Sequence, residues 1–153
     1  MQLMRKLVYG ILLLVLAHNY AVAQEIAVCG GLKGTTRYHA TEDKPSDWID
    51  DYLNGATVLN KIGDKEFDIL YTDLKGIPKS SVQSGARIFL IRRSASDIAI
   101  LSVDGDAIET YRFYKEESGS LRYDYLMSRF GSYIFDKASV MSGECSSIDF
   151  HFE

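Results

Sequence analysis

The chain has 153 residues, 46% of them hydrophobic and 25% charged, with 12 glycines, two prolines and a formal charge of -4. These proportions exclude a disordered or collagen-like chain. The length suits one ordinary domain and leaves no room for two.

Residues 1–23 have the three-part form of a cleavable secretory signal. Arg5 and Lys6 supply its positive start, Leu7 to Ala17 its apolar stretch, and Ala21-Val22-Ala23 the small-x-small cleavage site. The apolar stretch falls short of the roughly 20 residues a membrane-spanning helix needs. A lipidation reading of Cys29 fails on Val28, which stands where a small residue is required, and on the distance from the apolar stretch. Cleavage would leave residues 24–153 as a single β-rich domain. Of its 130 residues 21 are acidic and 15 are Lys or Arg, because Arg5 and Lys6 leave with the signal, so its formal charge is -6. Such a chain has no global attraction for nucleic acid, and no stable membrane insertion is expected of it after cleavage. The expected location is periplasmic or secreted. Two cysteines, Cys29 and Cys145, remain in an oxidising compartment, and they read as one structural disulfide rather than a redox pair, whose cysteines sit close in sequence.

After Pro45 the text predicts one short helix near the N-terminus. Ser46 would cap it, Trp48, Ile49, Tyr52 and Leu53 would share a face, and Asn54-Gly55 would end it. From Thr57 onward the pattern is strand. Residues 57–62 and 67–72 flank a turn at Gly63-Asp64-Lys65, and residues 87–92 and 98–103 follow as Ile/Leu/Val-rich runs. Asp104-Gly105 is a strong hairpin signal before 108–115, and Ser118-Gly119 turns the chain into 121–128. There Leu121, Tyr123, Tyr125 and Met127 share one face, opposite Arg122 and Asp124. Residues 133–141 and 147–152 complete the series around a turn at Ser142-Gly143-Glu144. The stretch 73–85, with Lys75, Gly76, Pro78, Lys79 and three serines, reads as a long, mildly basic surface loop. The fold class is therefore mainly all-β, an antiparallel meander closing into a barrel or a two-sheet sandwich.

The motifs of catalysis are sparse. His39 and His151 are the only histidines outside the signal, His39 in a polar stretch and His151 alternating with Phe150 and Phe152. No serine occupies a Gly-x-Ser-x-Gly elbow, and neither a Gly-x-Gly-x-x-Gly nor a Walker sequence occurs. Asp149 and His151 could share a strand face, but zinc wants three or four ligands and no other cluster has ligand spacing. Asp104-Gly105-Asp106 lacks the rest of a calcium loop. No metal or cofactor is expected. Tyrosine is the compositional oddity: eight of ten remain after cleavage, four of them between Tyr111 and Tyr125. Such rings can stack on a ligand or anchor a partner, or simply pack as strand residues with wetted hydroxyls.

The Lys44-Pro45-Ser46-Asp47-Trp48 stretch running to Gly55, the Phe67-Asp68-Ile69-Leu70-Tyr71-Thr72-Asp73 strand, the signal, and a cysteine near each end of the mature domain resemble small exported bacterial proteins of unassigned function. The resemblance implies a periplasmic or secreted location and carries over no catalytic residue.

The leading expectation is an exported, non-enzymatic β domain that binds a small molecule or an envelope component. Trp48, Tyr111, Tyr123 and Tyr125 are its candidate binding residues. One alternative is a protein-inhibitor or envelope-interaction module acting through 73–85. Another is a small secreted hydrolase built on carboxylates or on His151.

Overall fold

The computed structural model describes residues 23–39, 47–72, 75–131 and 136–153. The expected signal, Pro45, Ser46, Asp73 and residues 133–135 of the expected late strand lie outside them. Ten strands form one antiparallel sheet: β1 (Gln24–Tyr38), β2 (Trp48–Leu53), β3 (Thr57–Lys61), β4 (Phe67–Thr72), β5 (Pro78–Ser80), β6 (Arg87–Arg93), β7 (Asp97–Val103), β8 (Ala107–Lys115), β9 (Leu121–Arg129) and β10 (Lys137–Ile148). Their order is β5-β4-β3-β1-β10-β9-β8-β7-β6, with β2 also paired to β1. The sheet curls into a half-barrel until β4 comes alongside β6. Among the described residues it is one curled sheet, with no second sheet packed on it.

Period-two alternation explains which side faces in. On β7 Ile98, Ile100 and Ser102 are buried, on β9 Tyr123, Tyr125 and Met127, and the residues between them are more exposed. The β3–β4 hairpin closes through the Ile62 amide on the Glu66 carbonyl, and Asp104-Gly105 joins β7 to β8 through the Asp104 amide on Ala107. These turns stand where the sequence places them.

β1 is the strand that makes the half-barrel, and it is absent from the sequence reading. Its residues pair with β10 along one side. On the other side its first part pairs with β3 and its second part, from Leu32, with β2. Cys29 and Cys145 face each other in the β1–β10 ladder and are joined by a disulfide. Bulges flank the bridge: Gly30 and Gly31 of β1 stand against the single residue Glu144 of β10, since Cys29 opposes Cys145 while Leu32 opposes Gly143. Such bulges sharpen the local twist and help the sheet to curl. Glycine is required at Gly31, where a Cβ would lie 2.7 Å from the Leu53 carbonyl oxygen.

Three expectations are corrected. Trp48–Leu53 is strand β2, not a helix. Asp50 and Asp51 are poor helix residues, Trp, Ile and Tyr suit a strand, and the Leu32–Arg37 edge of β1 offers six residues of ladder. Ser142-Gly143-Glu144 is not a turn but the middle of β10, which runs unbroken to Ile148 and ends in a turn at 150–151. Gly143 is there because a Cβ would collide with the Tyr123 ring and the Gly31 carbonyl.

The stretch 73–85 is not a free loop either. Pro78–Ser80 is β5, paired to β4. The buried Asp68 carboxylate accepts the Ser80 hydroxyl at 2.7 Å and the Val82 amide at 3.0 Å, and the Ser81 amide donates to the Ile69 carbonyl. Deleting the segment would take the Ser80 and Val82 donors away from Asp68, at about 1 kcal/mol or more each.

Candidate functional site

The interior of the half-barrel is divided along its length. At one end Ile26, Leu59, Phe67, Ile69, Ile98 and Phe113 pack into a dry core. Phe152, beyond the last strand, meets the Phe67 ring edge-on at 5.9 Å between centroids. The Arg93 guanidinium lies over the Phe152 ring at 4.7 Å and donates to the Phe152 carbonyl, which ties the C-terminus across this end.

Toward the other end the same strands enclose a cavity of about 350 Å³, within the size range of small-molecule sites. Its position follows from the rows of inward residues. Phe113, Tyr123, Gly143 and Leu32 are successive partners across β8, β9, β10 and β1 and form its floor. The next row is Tyr111, Tyr125, Met141 and Gly34; then come Glu109, Met127, Ser139 and Thr36. Ala107, Arg129, Lys137 and Tyr38 form the outermost row. The inward side chains thus pass from apolar to polar along the half-barrel.

An aromatic ladder climbs from the core into the cavity. The Phe113 and Tyr123 rings stack at 5.8 Å, Phe113 and Tyr111 at 6.3 Å, and Tyr111 and Tyr125 lie tilted at 5.1 Å. Tyr123 donates its hydroxyl to the Gly30 carbonyl at 2.7 Å, so it holds the β1 bulge in place. Tyr111 and Tyr125 both donate to Glu109, one to each carboxylate oxygen, at 3.0 and 2.9 Å. Burial raises the Tyr111 and Tyr125 hydroxyls well above the usual tyrosine value, and the Glu109 charge raises them further. Both therefore stay protonated as fixed donors. Burial lowers the Lys137 ammonium below its usual value; Asp51 and Glu109 work against that, and Arg129 adds to it.

Three of the four residues singled out by sequence, Tyr111, Tyr123 and Tyr125, line this one cavity. They are buried at its wall rather than displayed on an open sheet face. Trp48 is not with them: it is 49% exposed on β2, opposite Arg37, and does not line the cavity. Glu109, Met127, Arg129, Lys137 and Ser139 were missed. A signal for two of them was present, because Arg129 continues the Leu121–Met127 face at the same spacing and Glu109 shares parity with Tyr111 and Phe113.

Other candidate chemistry does not converge. His39 follows β1 and His151 sits in the C-terminal turn; both are exposed and neither lines the cavity. Among the described residues no three His, Cys, Asp or Glu side chains gather as a metal site. No family model, curated protein or solved structure matches the chain.

Proposed function

We propose that this protein binds a small molecule inside its half-barrel and does so outside the cytoplasm. The observation that carries the reading is the cavity, walled by Tyr111, Tyr125 and Met127 and provided with polar groups at Glu109, Ser139, Arg129 and Lys137. Apolar walls with a few fixed polar groups are the usual composition of a ligand site. Glu109 is held by the Tyr111 and Tyr125 hydroxyls and Ser139 by Thr36 before any ligand arrives, which lowers the ordering cost of binding.

The Cys29–Cys145 disulfide is compatible with an oxidising, exported location. β1 begins at Gln24, the residue after the expected cleavage site, so removal of residues 1–23 would leave every described strand whole. The histidine form of the hydrolase reading finds no support in two exposed, separate imidazoles.

The test is native mass spectrometry of oxidised 24–153 after incubation with a small-molecule extract of the envelope. A bound species of defined mass is expected, and Met127→Trp, which fills the cavity from its wall, should remove it while circular dichroism stays unchanged. A species that survives Met127→Trp would place binding elsewhere. No bound species at all would sink the reading.

A further inference from the structure

Arg129 and Lys137 are direct partners across β9 and β10, both on the inner face and both lining the cavity. Like charges set directly opposite in an antiparallel pair are destabilising. Among the described residues neither takes part in a salt bridge. The Arg129 Nε is buried without a hydrogen-bond partner. The Lys137 ammonium lies 5.8 Å from the centroid of the Tyr38 ring, a contact that does not occupy its three donors with an acceptor.

Glu109 and Asp51 favour the Lys137 ammonium electrostatically, but among the described residues no acid forms an ion pair with either cation. Glu109 accepts two tyrosine hydroxyls, and Asp104 Oδ1 accepts the Asp106 amide at 3.2 Å in the hairpin turn. Asp51, on β2, accepts the Tyr52 amide at 2.8 Å. Among the described residues these carboxylates are hydrogen-bonded to the protein, while the Arg129 Nε has no hydrogen-bond partner and neither cation forms an ion pair.

Resting on the reading of the cavity as a ligand site, we propose that its ligand is an organic anion. An oxyanion, carboxylate or phosphate, sits between Arg129 and Lys137, and an apolar, ring-bearing body lies against Tyr111, Tyr125 and Met127. Arg supplies a planar fork of donors that fits such oxygens, and Lys supplies a point charge. The bound anion would neutralise the pair that repels in its absence. A cationic ligand would meet the like charges at the outer row, and the Glu109 carboxylate is already shared by two tyrosine hydroxyls.

Calorimetric titration with 4-phenylbutanoate, 4-phenylbutan-1-ol and 4-phenylbutylamine holds the body constant and varies only the head group. The carboxylate should bind at least about tenfold tighter than the alcohol, which is the worth of one charge-assisted hydrogen bond. The amine should be weakest. Arg129→Met and Lys137→Met should each erase the preference for the carboxylate while leaving alcohol binding in place. Phenyl phosphate distinguishes the two oxyanions, and selective binding of either one supports the inference. Equal binding of all three heads would overturn the anion inference and leave the cavity reading standing. So would tightest binding of the amine. If the two Met variants fold and keep the carboxylate preference, the assignment to this pair falls. If no probe binds and Met127→Trp also changes nothing in the envelope extract, both readings fall together.

Discussion

One face of β8 carries Phe113, Tyr111 and Glu109 in that order, and these three residues sample the two ends of the half-barrel. Phe113 is sealed in the dry core; Glu109, four residues earlier, holds two tyrosine hydroxyls inside a cavity. The alternation is the same throughout, and the backbone pairing is continuous from Ala107 to Lys115. Only the side chains change, from rings and branched aliphatics that fill space to shorter or charged groups that leave it empty. One end therefore bears the stability of the fold, and the other gives up packing in return for a site. Ligand sites on curled sheets require this division, since a fully packed interior has no room for a guest.

The largest expected effect falls on the sealed end. Replacing both Cys29 and Cys145 by serine opens a loop of 116 residues of sequence separation, which should cost about 4–5 kcal/mol by chain entropy. Urea unfolding of the variant and the oxidised parent measures it. A loss below about 1 kcal/mol would mean that the β1–β10 ladder holds the strand without the bridge.

Truncations at the two ends should differ. Phe113→Ala removes a fully buried ring between Tyr111 and Tyr123 and should cost about 3–5 kcal/mol. Met127→Ala should cost closer to about 1 kcal/mol, because it widens a space that already exists rather than creating a new void. Equal losses at the two sites would erase the distinction between core and cavity.

Gly143→Ala probes the boundary between them. Its Cβ would meet the Tyr123 ring and the Gly31 carbonyl, so the floor of the cavity must shift. Overpacking of this kind costs about 1–3 kcal/mol. The shift should reach the Tyr123 hydroxyl bond to Gly30 and appear as a change in the Tyr123 ring resonances.

How far the sequence can be read follows from the same division. The hairpins from Thr57 to Thr72 and from Arg87 to Arg129 are legible because turn residues and alternating apolar faces coincide there. β1 is not, since Gly30, Gly31 and Gly34 look like loop residues until their neighbours are known. Gly143 misleads in the same way: close approach of Tyr123 and Gly31 demands a glycine inside a strand, and the sequence shows only a Ser-Gly pair. Trp48–Leu53 imitates a helix because its apolar residues also fit a period of 3.6, and only the open edge of β1 decides otherwise. The tyrosines lead to the cavity, although an alternating strand says inward or outward and not whether the interior is filled. Arg129 and Glu109 carry that information, as charges placed on an otherwise inward face.

The smallest effect expected at neutral pH belongs to Glu109→Gln. The amide has one acceptor oxygen where the carboxylate has two, so one of the Tyr111 and Tyr125 hydroxyls loses its acceptor, at about 1 kcal/mol. The alkaline behaviour is more diagnostic. Folding raises both tyrosines above their unfolded value of 10.0, so the native state keeps protons that the unfolded chain has already released. Their contribution is complete below that value and is lost as pH rises beyond it, by about 1.4 kcal/mol per pH unit for each tyrosine. Removing the Glu109 charge removes one cause of the elevation at Tyr111 and Tyr125. Tyr123 is raised by burial, with no contribution from Glu109. In Glu109→Gln the first two should therefore ionise at lower pH than in the parent, while Tyr123 does not move, as ring-labelled tyrosine NMR would resolve. The variant should start less stable at pH 7, lose stability at the same rate just above pH 10, and cease to lose it at a lower pH than the parent, where its two tyrosines ionise in the native state. Ionisation of Tyr111 and Tyr125 at the same pH in variant and parent would mean that burial alone holds these protons, and that Glu109 contributes to the cavity through its shape rather than its charge.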